Sequence, residues 1–169
     1  MVNHHENRQA IIPMTTIRRF RCGDERQLWM IYYEATHRCN SKDYHADLIE
    51  RWAPTNMDME AWGNRIREKN PFVAVVNEAP VGFAELDADG YIDYFYCHPD
   101  WQRQGIGRML LERVELTARE IGIVRLTADV SVTAKEFFLI HGFQVVEARR
   151  NIIQGHIAPN FAMEKLLTA

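Results

Sequence analysis

Residues 96–108 read YCHPDWQRQGIGR, and this stretch decides the predicted fold because a β-rich segment passes through a glycine-containing turn into a helix. The first turn of a helix leaves backbone N–H groups without intrahelical partners, and the peptide dipoles add partial positive charge there. Gly105 and Gly107 let a ligand approach the backbone, while Arg103 and Arg108 add charge at the rim. The turn is therefore predicted to bind a diphosphate, and a purely structural turn into a core helix is the alternative.

The segments on either side of this turn predict a mixed α/β domain. In chain order they are a strand at 16–20, helices around 28–35, 44–52 and 59–66, strands at 72–76, 81–86 and 91–97, a helix at 105–121, a strand at 124–128, a helix at 133–141 and strands at 143–153 and 157–166. A strand, a helix and a strand in that order require a crossover connection. The strands at 91–97 and 124–128 are therefore predicted to lie parallel in one mixed sheet of about seven strands.

Composition restricts the classes of function. The 169 residues carry 20 basic and 23 acidic side chains, a net charge of -3 that does not resemble a nucleic-acid-binding protein. No apolar run is long enough to cross a bilayer. Cys22, Cys39 and Cys97 lie far apart, without the spacing of a disulfide framework or a structural zinc site. We expect a cytoplasmic protein, monomeric or homodimeric, without nucleic-acid, membrane or metal partners.

The amino terminus is predicted to be a flexible leader over residues 1–14, followed by one domain at 15–169. The leader is polar and contains His4 and His5. Adjacent histidines in a polar leader are interpreted as part of a disordered end rather than as metal ligands.

Two motifs resemble those of the GNAT superfamily of acyl-CoA-dependent N-acyltransferases. Residues 102–107, QRQGIG, match the signature Gln/Arg-x-x-Gly-x-Gly/Ala, and residues 134–143, AKEFFLIHGF, are similar to Ala-x-x-Phe-Tyr-x-x-x-Gly-Phe. Phe138 stands where the family often has tyrosine. The resemblance implies a GNAT fold, with acetyl-CoA as co-substrate in a splay between two parallel strands. The coenzyme contacts it implies are Phe95, Tyr96, Cys97, Gln102, Arg103, Gln104, Gly105, Ile106, Gly107, Arg108 and Phe138.

The resemblance also implies direct attack of an amine on the thioester, which requires a group that removes a proton. An alkylammonium has a pKa near ~10.4, so at neutral pH a carboxylate is needed. Glu85 and Asp93 are the candidates, because strand alternation places Glu85 on one face with Phe83, and Asp93 on one face of the next strand with Phe95 and Cys97. The alternative is a solvent-facing Glu85 and an Asp93 that belongs to an ion pair.

Two further groups are needed, one that stabilises the oxyanion and one that donates to the leaving thiolate. The resemblance implies that a backbone N–H around residues 96–98 stabilises the oxyanion. Phe138 has no proton for the leaving thiolate, so Tyr96, Tyr94 or water are candidates, with core packing as the alternative for the tyrosines. Cys97 is interpreted as a packing residue rather than as a nucleophile.

The acceptor is not predicted beyond an amine of a small molecule or peptide. Aromatic side chains of the first helices are candidates for a wall around it, with core packing as the favoured alternative: Tyr32, Tyr33, Tyr44, Trp52 and Trp62. The alternative function is an acyl-CoA-binding module that has lost catalysis, which the phenylalanine at position 138 suggests.

Overall fold

The strands of the chain form two four-stranded sheets in a computed structural model that describes residues 14–167. The elements are β1 (Thr15–Arg19), α1 (Glu25–Arg38), α2 (Ala46–Trp52), α3 (Met59–Lys69), β2 (Phe72–Val76), β3 (Ala79–Ala84), β4 (Tyr91–Ile92), β5 (Phe95–Cys97), α4 (Ile106–Glu120), β6 (Arg125–Ser131), α5 (Lys135–Ile140), β7 (Gln144–Ile153) and β8 (His156–Leu166). Of the predicted leader, residues 1–13 lie outside the described residues.

The strand order is β1-β2-β3-β5 in one sheet and β4-β6-β8-β7 in the other. Among the strands described between residues 14 and 167, only the β4–β6 pair is parallel, with Tyr91 opposite Thr127, and all other neighbours are antiparallel. The predicted mixed α/β class and the parallel crossover through α4 are therefore confirmed.

The predicted single strand at 91–97 is corrected to two strands that belong to different sheets. Strand β4 pairs with β6, whereas β5 pairs with β3, and the chain changes sheets at Asp93 and Tyr94. Beyond Ile92, β6 continues beside β8 and leaves β5 without a neighbour on that side. One strand cannot follow two diverging partners, so the sheet opens between β5 and β6.

Apolar side chains cover both faces of the first sheet. Leu110 and Val114 of α4 are completely buried against one face, and Leu28 of α1 and Ile66 of α3 are completely buried against the other. All five residues of β2 are buried, as expected for a strand covered on both sides. None of the helices described between residues 14 and 167 has the length and apolar composition that crossing a bilayer requires.

Local signals set the ends of α3. Asp58 precedes the helix, and its carboxylate accepts hydrogen bonds from the N–H groups of Glu60 and Ala61 at 3.0 and 3.1 Å. The helix ends at Asn70, which is left-handed with φ of 45° and precedes Pro71. The helix is thereby positioned with its inner side chains against β3.

Candidate active site

The turn before α4 exposes backbone donors to solvent. Gly105 has φ of 83° and Arg103 has φ of 61°, so the chain turns sharply into the helix. The Met109 N–H donates to the Gly105 carbonyl, so the N–H groups of residues 106–108 have no partner within the helix. Apart from Gly105 and its two chain neighbours, no heavy atom of residues 14–167 lies within 4 Å of the position that a Cβ on Gly105 would occupy. Donors around open space form a cradle that fits a diphosphate.

The side chains of two glutamines, Gln102 and Gln104, donate hydrogen bonds to backbone carbonyls near this turn. The Gln102 Nε2 atom donates to the Cys97 carbonyl at 3.3 Å and lies 3.5 Å from the Cys39 sulfur, at the end of α1. The Gln104 Nε2 atom donates to the carbonyl of Asp100 at 3.1 Å. Both side chains therefore hold the backbone in the shape that presents its amides.

The two arginines of the motif have solvent-exposed side chains. Arg103 is exposed, and Arg108 is exposed while its Nε lies 3.6 Å from the Glu112 carboxylate, one helical turn away. Such an exposed pair contributes little to stability. Both guanidinium groups can therefore turn toward an anion at low cost.

Hydrophobic contacts anchor the start of α4. Ile106 is buried, and a Cβ on Gly107 would lie 2.9 Å from the Phe137 ring. Phe138, the residue at the family's tyrosine position, is only 4% exposed and packs edge-on against Phe143 with 5.0 Å between ring centroids. The structure thus places Phe137 beside the turn and Phe138 in the core, a distinction that the motif alone did not make.

The open edge of β5 carries unpaired backbone groups. Its other edge bonds to β3, because Tyr94 accepts from the Glu85 N–H at 2.8 Å and His98 donates to Val81 at 2.9 Å. Alternate residues of an antiparallel strand face opposite edges, so the N–H groups of Phe95 and Cys97 face the gap toward β6. Of the N–H groups at residues 96–98, that of Cys97 is the one that faces this gap.

Burial raises the pKa of both the Cys97 thiol and the Tyr96 hydroxyl. Burial raises the pKa of the Cys97 thiol to about 12, so it stays protonated at neutral pH. The Tyr96 ring packs on Tyr32 and Tyr94, with centroid separations of 4.7 and 5.7 Å, and burial raises the pKa of its hydroxyl as well. The packing interpretation of Cys97 agrees with this environment.

Both predicted carboxylates meet at one guanidinium that the sequence did not reveal. Arg65 of α3 donates to the two Glu85 oxygens at 2.6 and 2.8 Å and to Asp93 Oδ2 at 2.9 Å. Lys69, one turn later, lies 3.5 Å from the same Asp93 oxygen and 2.8 Å from Asp87. We call these five side chains the Arg65 network.

The network corrects two expectations. The Glu85 side chain is only 1% exposed and is not solvent-facing, whereas the Asp93 side chain is 31% exposed. Asp93 reaches α3, but Phe95 packs on Phe137 on the other side of the sheet, so strict alternation fails. The cause is the break at residues 93–94, where the chain changes sheets and its alternation restarts.

The electrostatics of the network depend on burial. Burial raises the pKa of Glu85, while the hydrogen bond and the charge of Arg65 oppose that rise. Burial acts to lower the pKa of Arg65, but its bonds to Glu85 outweigh that effect and the pKa is raised. The guanidinium also lies over the Tyr94 ring, with Cζ 3.9 Å from its centroid.

The proposed acceptor wall is largely core. Tyr32, Tyr44 and Trp62 are 5%, 6% and 1% exposed, and the hydroxyl of Tyr32 donates to the Trp52 carbonyl at 2.9 Å. Tyr33 remains partly exposed beside this cluster. The packing interpretation therefore accounts for most of these rings.

Comparison with known proteins identifies a family and a similar bacterial protein. Residues 40–165 match the family described as Acetyltransferase (GNAT) domain. The "Uncharacterized N-acetyltransferase YafP" of Escherichia coli (strain K12) is 33% identical over 147 residues, covering 87% of this chain and 93% of that protein.

Solved structures agree with the fold. The GCN5-related N-acetyltransferase "Aminotransferase, Class-II" from Rhodopseudomonas palustris superposes with a TM-score of 0.83 and 28% identity, over 92% of this chain and 96% of that one. PaiA N-acetyltransferase from Thermoplasma acidophilum, solved with coenzyme A, gives a TM-score of 0.74 and 21% identity over 90% and 99% of the two chains.

Proposed function

Because the chain belongs to the GNAT family and is an N-acetyltransferase, we propose that it transfers the acetyl group of acetyl-CoA directly to a primary amine of a small molecule or peptide. The observation that carries this proposal is the position of the cradle at residues 103–108, which follows directly on the open edge of β5. One ligand can thus place a diphosphate at the turn and a thioester beside the strand.

The turn and the strand hold the two ends of this ligand. Arg103 and Arg108 add charge-assisted bonds to the backbone N–H groups that receive the diphosphate. The N–H of Cys97 donates to the thioester carbonyl and stabilises the negative charge that develops on its oxygen. Gln102 holds the Cys97 carbonyl at 3.3 Å and thereby orients the peptide group next to that donor. Acetyl-CoA itself supplies the activated acetyl thioester.

Asp93 is the carboxylate best placed to accept the proton of the attacking ammonium. Glu85 has both oxygens bonded to Arg65 and a side chain that is only 1% exposed, so an amine from solvent cannot reach its carboxylate. Asp93 uses its Oδ2 atom in the network and keeps an exposed fraction of 31%. A water bound to this carboxylate can relay the proton if the amine lies farther away.

Tyr96 is the proposed donor to the departing sulfur. Phe138 is buried in the core and has no hydroxyl, so it takes no part in proton transfer. The raised pKa of Tyr96 keeps its hydroxyl protonated, which suits hydrogen-bond donation better than full proton transfer. A thiol has an ordinary pKa near ~8.5, so hydrogen bonding is enough for a thiolate to leave at neutral pH.

Two measurements test the proposal. Acetyl-CoA at 100 times its Kd is expected to stabilise the folded chain by roughly 2.7 kcal/mol, seen as a higher melting temperature. Release of free thiol is then followed with amino acids, polyamines, aminoglycosides, aryl amines, lysine peptides and free peptide N-termini. We expect release with at least one amine. Binding without release across the panel would overturn the primary-amine assignment and favour the silent acyl-CoA-binding module.

A further inference from the structure

Two histidines and an aspartate meet outside the Arg65 network and the turn at residues 102–108. His45 is the cap before α2, Asp47 lies in the first turn of α2, and His156 is the first residue of β8. The His156 Nε2 atom lies 2.9 Å from Asp47 Oδ2, and the His45 Nδ1 atom lies 3.6 Å from the same oxygen. All three donor atoms lie within 4.8 Å of one another.

This donor set matches the chemistry of Zn²⁺. Imidazole nitrogen and carboxylate oxygen are its usual protein ligands, with bonds of about 2.0–2.2 Å and tetrahedral geometry, which places ligand atoms about 3.3 Å apart. The separations of 2.9 and 3.6 Å bracket that value. Side-chain exposures of 54%, 64% and 29% leave room for a water as fourth ligand and for small adjustments of the rings.

The protonation pattern also suits a metal ion. His45 Nδ1 accepts a hydrogen bond from the Asp47 N–H at 3.2 Å, so its lone pair is present, and coordination replaces this long bond. The Nε2 atom of His156 and the Asp47 carboxylate share a hydrogen bond of 2.9 Å. A divalent ion takes the place of the proton in that bond, and the neutral imidazole then carries its proton on Nδ1.

The protein holds these ligands together by contacts independent of them. The Tyr44 hydroxyl donates to the Pro159 carbonyl at 2.7 Å and accepts from the Val132 N–H at 2.8 Å. Leu48 and Ala158 pack in a small apolar cluster beneath them. The His45 and His156 rings stack with 4.0 Å between centroids and 14° between their planes, so a ring must rotate for both lone pairs to point at one ion. The segments that carry the ligands are therefore held together before an ion arrives, and the exposed rings adjust to it.

We propose that His45, Asp47 and His156 bind a divalent transition-metal ion of the Zn²⁺ type, which joins α2 to the β7–β8 hairpin. The proposal departs from the sequence-based expectation of no metal, and it does not depend on the acetyl-transfer reaction. The ion would join Asp47 and His156, which are 109 residues apart in the chain. Because this arrangement of ligands exists only in the folded protein, binding stabilises the fold.

Titration calorimetry of the coenzyme-free full chain with ZnCl₂ tests the site. The background is His4→Ala, His5→Ala and Cys22→Ser, which removes the leader histidines and the exposed thiol as competing ligands. We expect one saturable site and a higher melting temperature with Zn²⁺. CaCl₂ is expected to bind far more weakly, because Ca²⁺ prefers oxygen ligands.

Three variants locate the site. His45→Asn keeps a helix cap, His156→Phe keeps the ring stacking, and Asp47→Asn keeps the shape of the side chain. Each is expected to lower the Zn²⁺ affinity at least roughly 10-fold, the loss that even outer partners of metal ligands produce. Asp43→Asn is the matched control, since Asp43 contacts Thr133 outside the cluster. Absence of saturable binding, or equal affinity in all four variants, overturns the proposal.

Discussion

The turn at residues 102–108 and the Arg65 network use their polar groups in opposite ways. The turn presents the first N–H groups of α4, which have no partner within that helix, beside open space, whereas the network satisfies a buried carboxylate with a guanidinium at 2.6 and 2.8 Å. Unpaired donors are available to a ligand, while a buried charge that lacks its partner destabilises the fold. The comparison separates groups available for binding from groups required for stability.

Gly105→Glu tests whether the turn before α4 binds acetyl-CoA, and it has the largest expected effect. It places a side chain and a negative charge over the free donors, so the melting-temperature rise with acetyl-CoA should disappear. Gly122→Glu is the matched control at the other end of α4, because its φ of 80° and open surroundings are like the φ of 83° at Gly105. Both variants carry a backbone strain on the order of 1–2 kcal/mol. Normal acetyl-CoA binding by the Gly105 variant would mean that the ligand binds elsewhere.

Asp93→Asn asks whether the exposed end of the network also takes part in chemistry. We expect turnover to fall roughly 10²–10⁴-fold with unchanged acetyl-CoA affinity, because a positioned proton acceptor is lost. The deficit should shrink as pH rises, since more of the amine is then already neutral. Asp87→Asn is the control, with a side chain that is 33% exposed and paired with Lys69. Equal turnover of the two variants at all pH values would remove Asp93 from the mechanism.

Arg65→Met tests whether the fold depends on the pairing of Arg65 with the buried Glu85 carboxylate. The variant leaves Glu85 buried without a partner, which costs about 3–5 kcal/mol in unfolding free energy measured by urea titration at neutral pH. Arg67→Met on the same helix breaks an exposed pair with Glu25 and should cost about 0–1 kcal/mol.

The pH dependence of the Arg65 variant has a definite sign. Burial already raises the pKa of Glu85, and removal of Arg65 takes away the group that opposes this rise. The folded variant then holds the Glu85 proton more tightly than the unfolded chain, so its stability falls as pH rises above ~4.3, the ordinary pKa of glutamate. The deficit relative to wild type should accordingly shrink as pH is lowered toward that value. A deficit that does not change with pH would show that lost packing, not an unpaired charge, is responsible.

Cys97→Ala has the smallest expected effect and separates the backbone of β5 from its side chain. The variant retains the N–H that we assign to the thioester and removes a thiol whose pKa is raised to about 12. Turnover is expected to fall less than about 10-fold, whereas loss of a covalent nucleophile would cost far more. Mass spectrometry of the wild-type chain with acetyl-CoA provides the second readout, and an acetyl group on Cys97 would contradict direct transfer.

Sequence reasoning reached most of the fold because its signals are local. Asn70 and Pro71 end α3, and Gly122 follows α4, as their backbone preferences require. It also proposed the groups of the candidate site, since Glu85, Asp93 and the turn at 102–107 carry recognisable patterns. It missed the break at residues 93–94, because no proline or glycine marks the place where two sheets diverge.

What the sequence by itself determined is the order of the helices and strands, the glycine turn before α4 and the family to which that turn points. These depend on periodicity and backbone preferences over a few residues. Only the tertiary structure decided that Arg65 joins two carboxylates 20 and 28 residues away, that Phe138 is buried while Phe137 faces the turn, and that His156 meets Asp47. Such pairings depend on how separate elements pack, and the spacing of residues along the chain does not specify that packing.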